Sequence, residues 1–139
     1  MTYVLDTDVA GFWQQDHPAV LAYARALPKG TPIVTTVVTF GEDLSGWLPD
    51  CRRAKNGLAR AKAYACLSKG LDFYRRITCL PFNESAAAVF DELRARDKRT
   101  GTNDLASAAI TLSVNGILVT RNRVDFERVP GLVFEDWTK

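Results

Sequence analysis

The sequence predicts an α/β domain with a central, mainly parallel five-stranded sheet and helices on both faces. Three observations carry that expectation. Short apolar runs that read as buried strands alternate with segments of helical period along the whole chain. Parallel neighbours need such an order, because each strand must be followed by a long crossover before the next can pair beside it. The chain has 139 residues, 47% hydrophobic and 24% charged, enough to build one real core without being disordered. Residues 1–139 are therefore expected to form a single domain.

The elements follow in order. Tyr3-Val4-Leu5 is a buried strand ended by Asp6. Residues 18–27 carry apolar residues at helical spacing, started by His17-Pro18 and stopped by Pro28-Lys29-Gly30. Residues 32–38 are β-branched and read as the second strand, and Thr39 to Leu48 as a helix up to Pro49. Residues 51–76 place Ala54, Leu58, Ala61, Ala65 and Leu71 on one helical face, so one long helix or two shorter ones are expected. Trp47, Leu48 and Tyr64 are expected in the core. Ile77 to Leu80 is a third strand, and Ser85 to Arg96 a helix capped by Asn83 or Ser85. After a polar stretch, residues 104–114 form an Ala-rich helix stopped by Asn115-Gly116. Ile117 to Thr120 is the fourth strand and Leu132 to Phe134 the fifth.

Composition removes several kinds of chemistry. One histidine, His17, permits neither a His-rich zinc site nor a pair of histidines in acid–base work, and it reads as a surface turn residue before Pro18. Cys51, Cys66 and Cys79 form no CxxC pair, and an odd, unpatterned count fits a reducing cytosol. The first residues carry no signal-peptide pattern, and no apolar run approaches the ~20 residues of a membrane span. A soluble, cytoplasmic protein is the expectation. The net charge of +2 lacks the basic excess usual in nucleic-acid binders.

Sites in open α/β sheets form outside the carboxyl ends of the strands. Asp6 and Asp8 follow the first strand, Thr39 and Glu42 the second, and Thr120, Arg121, Asn122 and Asp125 the fourth. Asp104 opens the helix that leads into that fourth strand. A parallel sheet would gather these four segments, and clustered carboxylates repel one another unless a cation lies between them. Ligands that are all oxygen select a hard cation, Mg²⁺ or Mn²⁺, an ion that commonly serves attack of water on a phosphodiester. Each residue alone has an ordinary structural use. Asp6 suits an Asx-turn, Thr39 to Glu42 a capping box, and Asp104 a helix dipole. Asn122 and Asp125 suit a polar turn. The functional case rests on their conjunction.

Taken in order, Leu5-Asp6-Thr7-Asp8, Thr36 to Glu42, Gly101 to Ala109, Leu118 to Phe126 and Val129-Pro130-Gly131-Leu132 resemble the PIN-domain ribonucleases. Within them the chain is most similar to the VapC-type toxins of bacterial toxin–antitoxin pairs. The resemblance spans essentially the whole chain and implies a PIN fold and a Mg²⁺- or Mn²⁺-dependent endoribonuclease acting on single-stranded or looped RNA. By position, Asp6, Glu42 and Asp104 match the three core metal-site acids, and the fourth acidic position falls on Asn122 or Asp125. Gly41 stands where a small residue such as Ala is usual, and Ala106-Ser107 is less apolar than the family's run. The resemblance further implies an antitoxin partner and a homodimer.

Other readings make different demands. Asp6-Thr7-Asp8 partly matches the haloacid-dehalogenase phosphatase motif, but Ala10 breaks it and no convincing downstream Lys and paired acids follow. A non-catalytic RNA- or partner-binding module would not need Asp6, Glu42 and Asp104 intact. An RNA-processing nuclease without an antitoxin would share the site. The charge balance also conceals a segregation. Residues 51–76 hold eight basic residues and one acid, a local +7, which leaves −5 elsewhere, where the site acids lie. Arg52, Arg53, Arg121 and Arg123 are the candidate RNA-binding residues, since such a basic segment attracts the phosphates that carboxylates alone repel.

Overall fold

The computed structural model describes residues 1–139. The chain runs β1 (Tyr3–Leu5), α1 (Thr7–Gln14), α2 (Pro18–Ala26), β2 (Ile33–Thr36), α3 (Val37–Arg53), α4 (Gly57–Arg76), β3 (Thr78–Leu80), α5 (Glu84–Arg96), α6 (Thr102–Ser113), β4 (Ile117–Val119), α7 (Arg123–Phe126) and β5 (Val133–Glu135). The five strands form one sheet in the order β3-β2-β1-β4-β5, every neighbouring pair parallel. The expected sheet is therefore present, and it is parallel throughout. Tyr3 pairs with both Ile33 and Ile117, so β1 lies at the centre. No helix is long and apolar enough to cross a membrane.

Successive strand residues point to opposite faces, and this pleat divides the core in two. Val4, Val34 and Leu118 face Leu93 of α5, Leu105, Ala108 and Ala109 of α6, and Phe126 of α7. Leu5 and Val119 face Val9 and Ala10 of α1, Val20 of α2, and Trp137 of the C-terminal tail. Strands of three or four residues suffice because both faces are covered.

Several elements differ from expectation. Residues 37 and 38 open α3 instead of ending β2, because the Thr36 hydroxyl accepts from the Thr39 N–H and caps the helix there, overriding the strand preference of Val. The helix also runs through Pro49 to Arg53. The basic segment is then a separate helix after a break at Ala54–Asn56. There Asn56 accepts from Ala59 N–H at 2.9 Å, and Arg60 donates to the carbonyls of Cys51 and Ala54 at 3.1 Å. These contacts satisfy backbone groups that two helix ends would otherwise leave free. Helix α1 (Val9, Ala10, Phe12 and Trp13 at helical spacing) and the four-residue α7 are not among the expected elements; both are too short for period alone to set them apart. His17 is more than a turn residue: its Nδ1 accepts from Val20 N–H at 3.4 Å as the cap of α2.

The apolar face assigned to residues 51–76 is also corrected. Leu58 and Leu71 are 69% and 51% exposed, and Tyr64, expected in the core, is 48% exposed. The helix is held from another side. The Trp47 ring lies against Gly70, where a Cβ would stand 2.2 Å from it, and Tyr74 donates to Asp43 at 2.5 Å. Only glycine allows that approach of α3 to α4.

Ser107 in α6 is 2% exposed and its hydroxyl has no hydrogen-bond partner. A buried polar group left unpaired costs about 1–3 kcal/mol. Ser107→Ala is therefore expected to stabilise the fold by about 1 kcal/mol, read as a higher urea midpoint at unchanged slope. A lower midpoint would show that the hydroxyl has a partner in solution.

Candidate active site

All strands point the same way, so β1, β2 and β4 deliver their following residues to one edge. Asp6 leaves β1 with its N–H on the Val119 carbonyl at 2.9 Å, and Thr120 leaves β4 with its N–H on the Glu135 carbonyl at 2.9 Å. The two side chains meet: Thr120 Oγ1 donates to Asp6 Oδ2 at 2.9 Å and accepts from Asn122 N–H at 3.0 Å. Asp6 stands at the start of α1, yet its side chain makes no capping bond there. The expected Asx-turn is replaced by a carboxylate buried against β4.

Glu42 reaches the edge from the second turn of α3. The capping-box expectation is overturned, since Thr36 caps the helix and Glu42 accepts from Thr7 Oγ1 at 2.6 Å. Thr39 lies 3.2 Å from the same Thr7 oxygen. Because the Thr7 proton is committed to an acceptor-only carboxylate, Thr39 is the donor to Thr7. The half-buried Thr7 hydroxyl, backed by buried Thr39, thus aims Glu42. Asp104 sits in the first turn of α6, where an acid also complements the helix dipole. Asn122 Nδ2 lies 3.5 Å from Asp104 Oδ2 and 2.7 Å from Asp125 Oδ2. Asp125 also pairs with Arg128 at 2.7 Å and is the charge that acts most on Asp104, so Asn122 and Asp125 both stand beside Asp104.

The acids sense one another. Burial, then the charge of Asp8, push Asp6 up to about 7, against the hydrogen bonds from the Thr7 N–H and the Thr120 hydroxyl. Asp104 is raised by burial, then by Asp125, Glu42 and Asp8. Burial raises Asp8 despite bonds from the Arg121 and Val9 N–H groups. Glu42 and Asp104 line an open cleft of about 350 Å³ with Gly101, Thr102 and Asn103. A larger cavity of about 520 Å³, lined by Trp13, Phe73 and Arg76 among others, includes Ile33 and Ile77 near the amino ends of β2 and β3. It holds none of these acids, so size does not mark the site.

The donor set fits a hard divalent cation: oxygen ligands only, Asp6 and Asp104 raised by burial and neighbouring acids, and hydroxyl bonds that orient Asp6 and Glu42. No three Asp, Glu, Cys or His side chains are drawn together as a finished cage. Repelling carboxylates stay apart until a cation offsets their charge.

The candidate cations are distributed unevenly. Arg121 and Arg123 flank Asn122, with the Arg121 guanidinium 5.3 Å from the Phe12 ring centre and Arg123 3.9 Å from Glu127. Arg52 and Arg53 end α3, ten residues and more beyond Glu42, about 15 Å along the helix. Arg53 is paired with Asp50 at 2.5 Å. One further contributor is marked in the sequence only as the acid two residues after Asp6, and another has no signal there. Asp8 bonds the loop after β4, and Arg94 braces the cleft rim through the carbonyls of Asp97 and Thr100 at 3.2 and 2.8 Å.

Fold and site together define an all-parallel α/β domain with an acidic centre at the carboxyl edge of its inner strands. The chain belongs to the PIN domain family, whose model matches residues 3–132. It is 27% identical to "Ribonuclease VapC1" of Haemophilus influenzae over the full length of both chains, and 26% identical to "Ribonuclease VapC2" of Rickettsia felis, also over both full lengths. Among solved structures, VapBC-1 of nontypeable H. influenzae superposes with a TM-score of 0.82 at 24% identity, covering 100% of both chains. VapBC2 of R. felis, bound to a promoter DNA fragment, gives 0.78 at 25% identity over 99% of each.

Proposed function

We propose that this protein is a Mg²⁺- or Mn²⁺-dependent endoribonuclease of VapC type, a one-domain toxin over residues 1–139 that cleaves single-stranded or looped RNA and is held by a cognate antitoxin. What supports the reading is that Asp6, Glu42, Asp104 and Asn122 come from four separated segments to one sheet edge, in a chain that matches VapC ribonucleases over its full length. Solved neighbours described as VapBC, one as a member of the VapBC family of toxin–antitoxin systems, support the antitoxin partner. A homodimer in the cytoplasm is part of the same proposal.

Asp6, Asp104 and Glu42 would hold the cation. When bound, such an ion supplies an activated water and offsets charge on the phosphate. The chain's own groups do the rest. Thr120 orients Asp6, and Thr7 orients Glu42 with Thr39 behind it. Asn122 spans Asp104 and Asp125, donating to both without adding a negative charge. Arg121 and Arg123 stand beside Asn122 to attract the RNA backbone, with the basic α3–α4 segment drawing it from further away.

The test is the chemistry of the cut ends. Incubation of structured RNA with Mn²⁺ is expected to leave 5′-phosphate and 3′-hydroxyl ends, and a chelator is expected to stop cleavage. A 2′,3′-cyclic phosphate, or cleavage that survives the chelator, would sink the proposal, because both belong to attack by the RNA's own 2′-hydroxyl.

A further inference from the structure

We infer that Asp8 is a positioning residue that ties the loop after β4 to α1 and so sets where Asn122 stands against Asp104, an inference that rests on the ribonuclease reading above. The residues after β4 have no regular ladder to hold them. Thr120 N–H is satisfied by Glu135 at 2.9 Å and Asn122 N–H by the Thr120 hydroxyl at 3.0 Å. The middle amide, Arg121 N–H, goes to Asp8 Oδ2 at 3.1 Å, a contact between residues 113 apart in sequence.

The other Asp8 oxygen, Oδ1, accepts from Val9 N–H at 2.7 Å. That amide belongs to the first turn of α1 and takes no bond from the Asp6 side chain, whose Oδ2 is turned to Thr120. Asp8 therefore serves an orphan helix donor and the loop at once. Its carboxylate has two acceptor oxygens for two N–H groups, whereas an asparagine has one. One turn further along α1, Phe12 lies under the Arg121 guanidinium, a second tie between the same two segments. Loss of the tie lets the loop drift, and Asn122 with it. A misplacement of about 1 Å at a reacting site costs about 100-fold in rate.

The experiment uses Asp8→Ala and Asp8→Asn, with RNA cleavage in Mn²⁺ and amide exchange at Arg121 followed by NMR. Asp8→Ala is expected to lower kcat by about 10- to 100-fold with KM for RNA within about twofold of wild type. Arg121 N–H should exchange at least about tenfold faster. Asp8→Asn, with one acceptor left, should recover part of both. Should Asp8→Ala not fold, Asp8→Asn against wild type carries the same comparison. Unchanged kcat, a loss confined to KM, or a protected Arg121 amide in an inactive variant would each overturn the inference. The last result would mean that Asp8 acts through its charge. Failure of the wild type to cleave any RNA would sink the ribonuclease reading instead, and the exchange rate of Arg121 would still decide the tie.

Discussion

Asp6→Asn is expected to abolish RNA cleavage and, in the same protein, to raise its stability at neutral pH. The two effects share one cause. Asp6 is 7% exposed and titrates at about 7 in the fold, against 3.8 ordinarily. Between those values the folded chain keeps a proton that the unfolded chain has released. Stability therefore falls as pH rises through that window. The full penalty is bounded by roughly 4 kcal/mol at pH 8, since each tenfold change in proton affinity is worth about 1.4 kcal/mol. Asparagine keeps an oxygen for the Thr120 hydroxyl but carries no charge to bury. The variant should gain about 1–4 kcal/mol at pH 8, and the gain should vanish near pH 4.

The lost charge is also what a divalent cation would use. Cleavage is expected to drop by about 1,000-fold, the upper end of the range seen when a major transition-state contact is lost. Added Mn²⁺ should raise the wild-type melting temperature at pH 8 by mass action and leave that of the variant nearly unmoved. Urea unfolding at both pH values, with a melting series in Mn²⁺, checks all three effects. A variant less stable than wild type at pH 8, or one that cleaves within about tenfold of the wild-type rate, would remove Asp6 from the role assigned to it.

Trp137→Ala is expected to be the most destabilising single change. Trp137 is completely buried close to the chain end, under the face of the sheet formed by Leu5 and Val119. Tyr23 stacks on it at 5.1 Å with the rings 12° apart, Tyr3 lies at 5.4 Å, and its Nε1 donates to Glu135 at 3.0 Å. Truncation removes transfer energy and leaves a cavity, together about 3–5 kcal/mol for such a residue. That is a large share of the roughly 5–15 kcal/mol typical of a domain. Trp137→Phe should recover more than half, since it keeps an aromatic ring and loses the bond to Glu135. Urea midpoints of the three proteins decide it, and a loss under about 1 kcal/mol for the alanine variant would show that the tail is not docked in solution.

The strands and the site acids are legible in the sequence because each rests on neighbouring residues. Tyr3-Val4-Leu5 followed by Asp6 states both a buried strand and its polar end, and the same holds for Ile117-Leu118-Val119 before Thr120. The start of α3 is not legible, because Val37 and Val38 prefer strands and nothing local reveals that the Thr36 hydroxyl turns back to cap Thr39. Nor is the exposed side of α4, because helical period identifies an apolar stripe without saying what will cover it. Trp47 against Gly70 decides which side is held, and that contact joins two helices.

By itself the sequence determined the layered architecture and the parallel sheet, and it named the oxygen-bearing residues that the sheet edge gathers, since these follow from local pattern and residue type. Tertiary structure alone decided the jobs of individual side chains. Glu42 faces Thr7 and not its own helix cap, Asn122 bridges Asp104 and Asp125, and Asp8 reaches Arg121. A carboxylate has several competing donors within reach of its backbone. Which of them wins depends on which strand ends the sheet brings side by side, and that is a property of the packed chain.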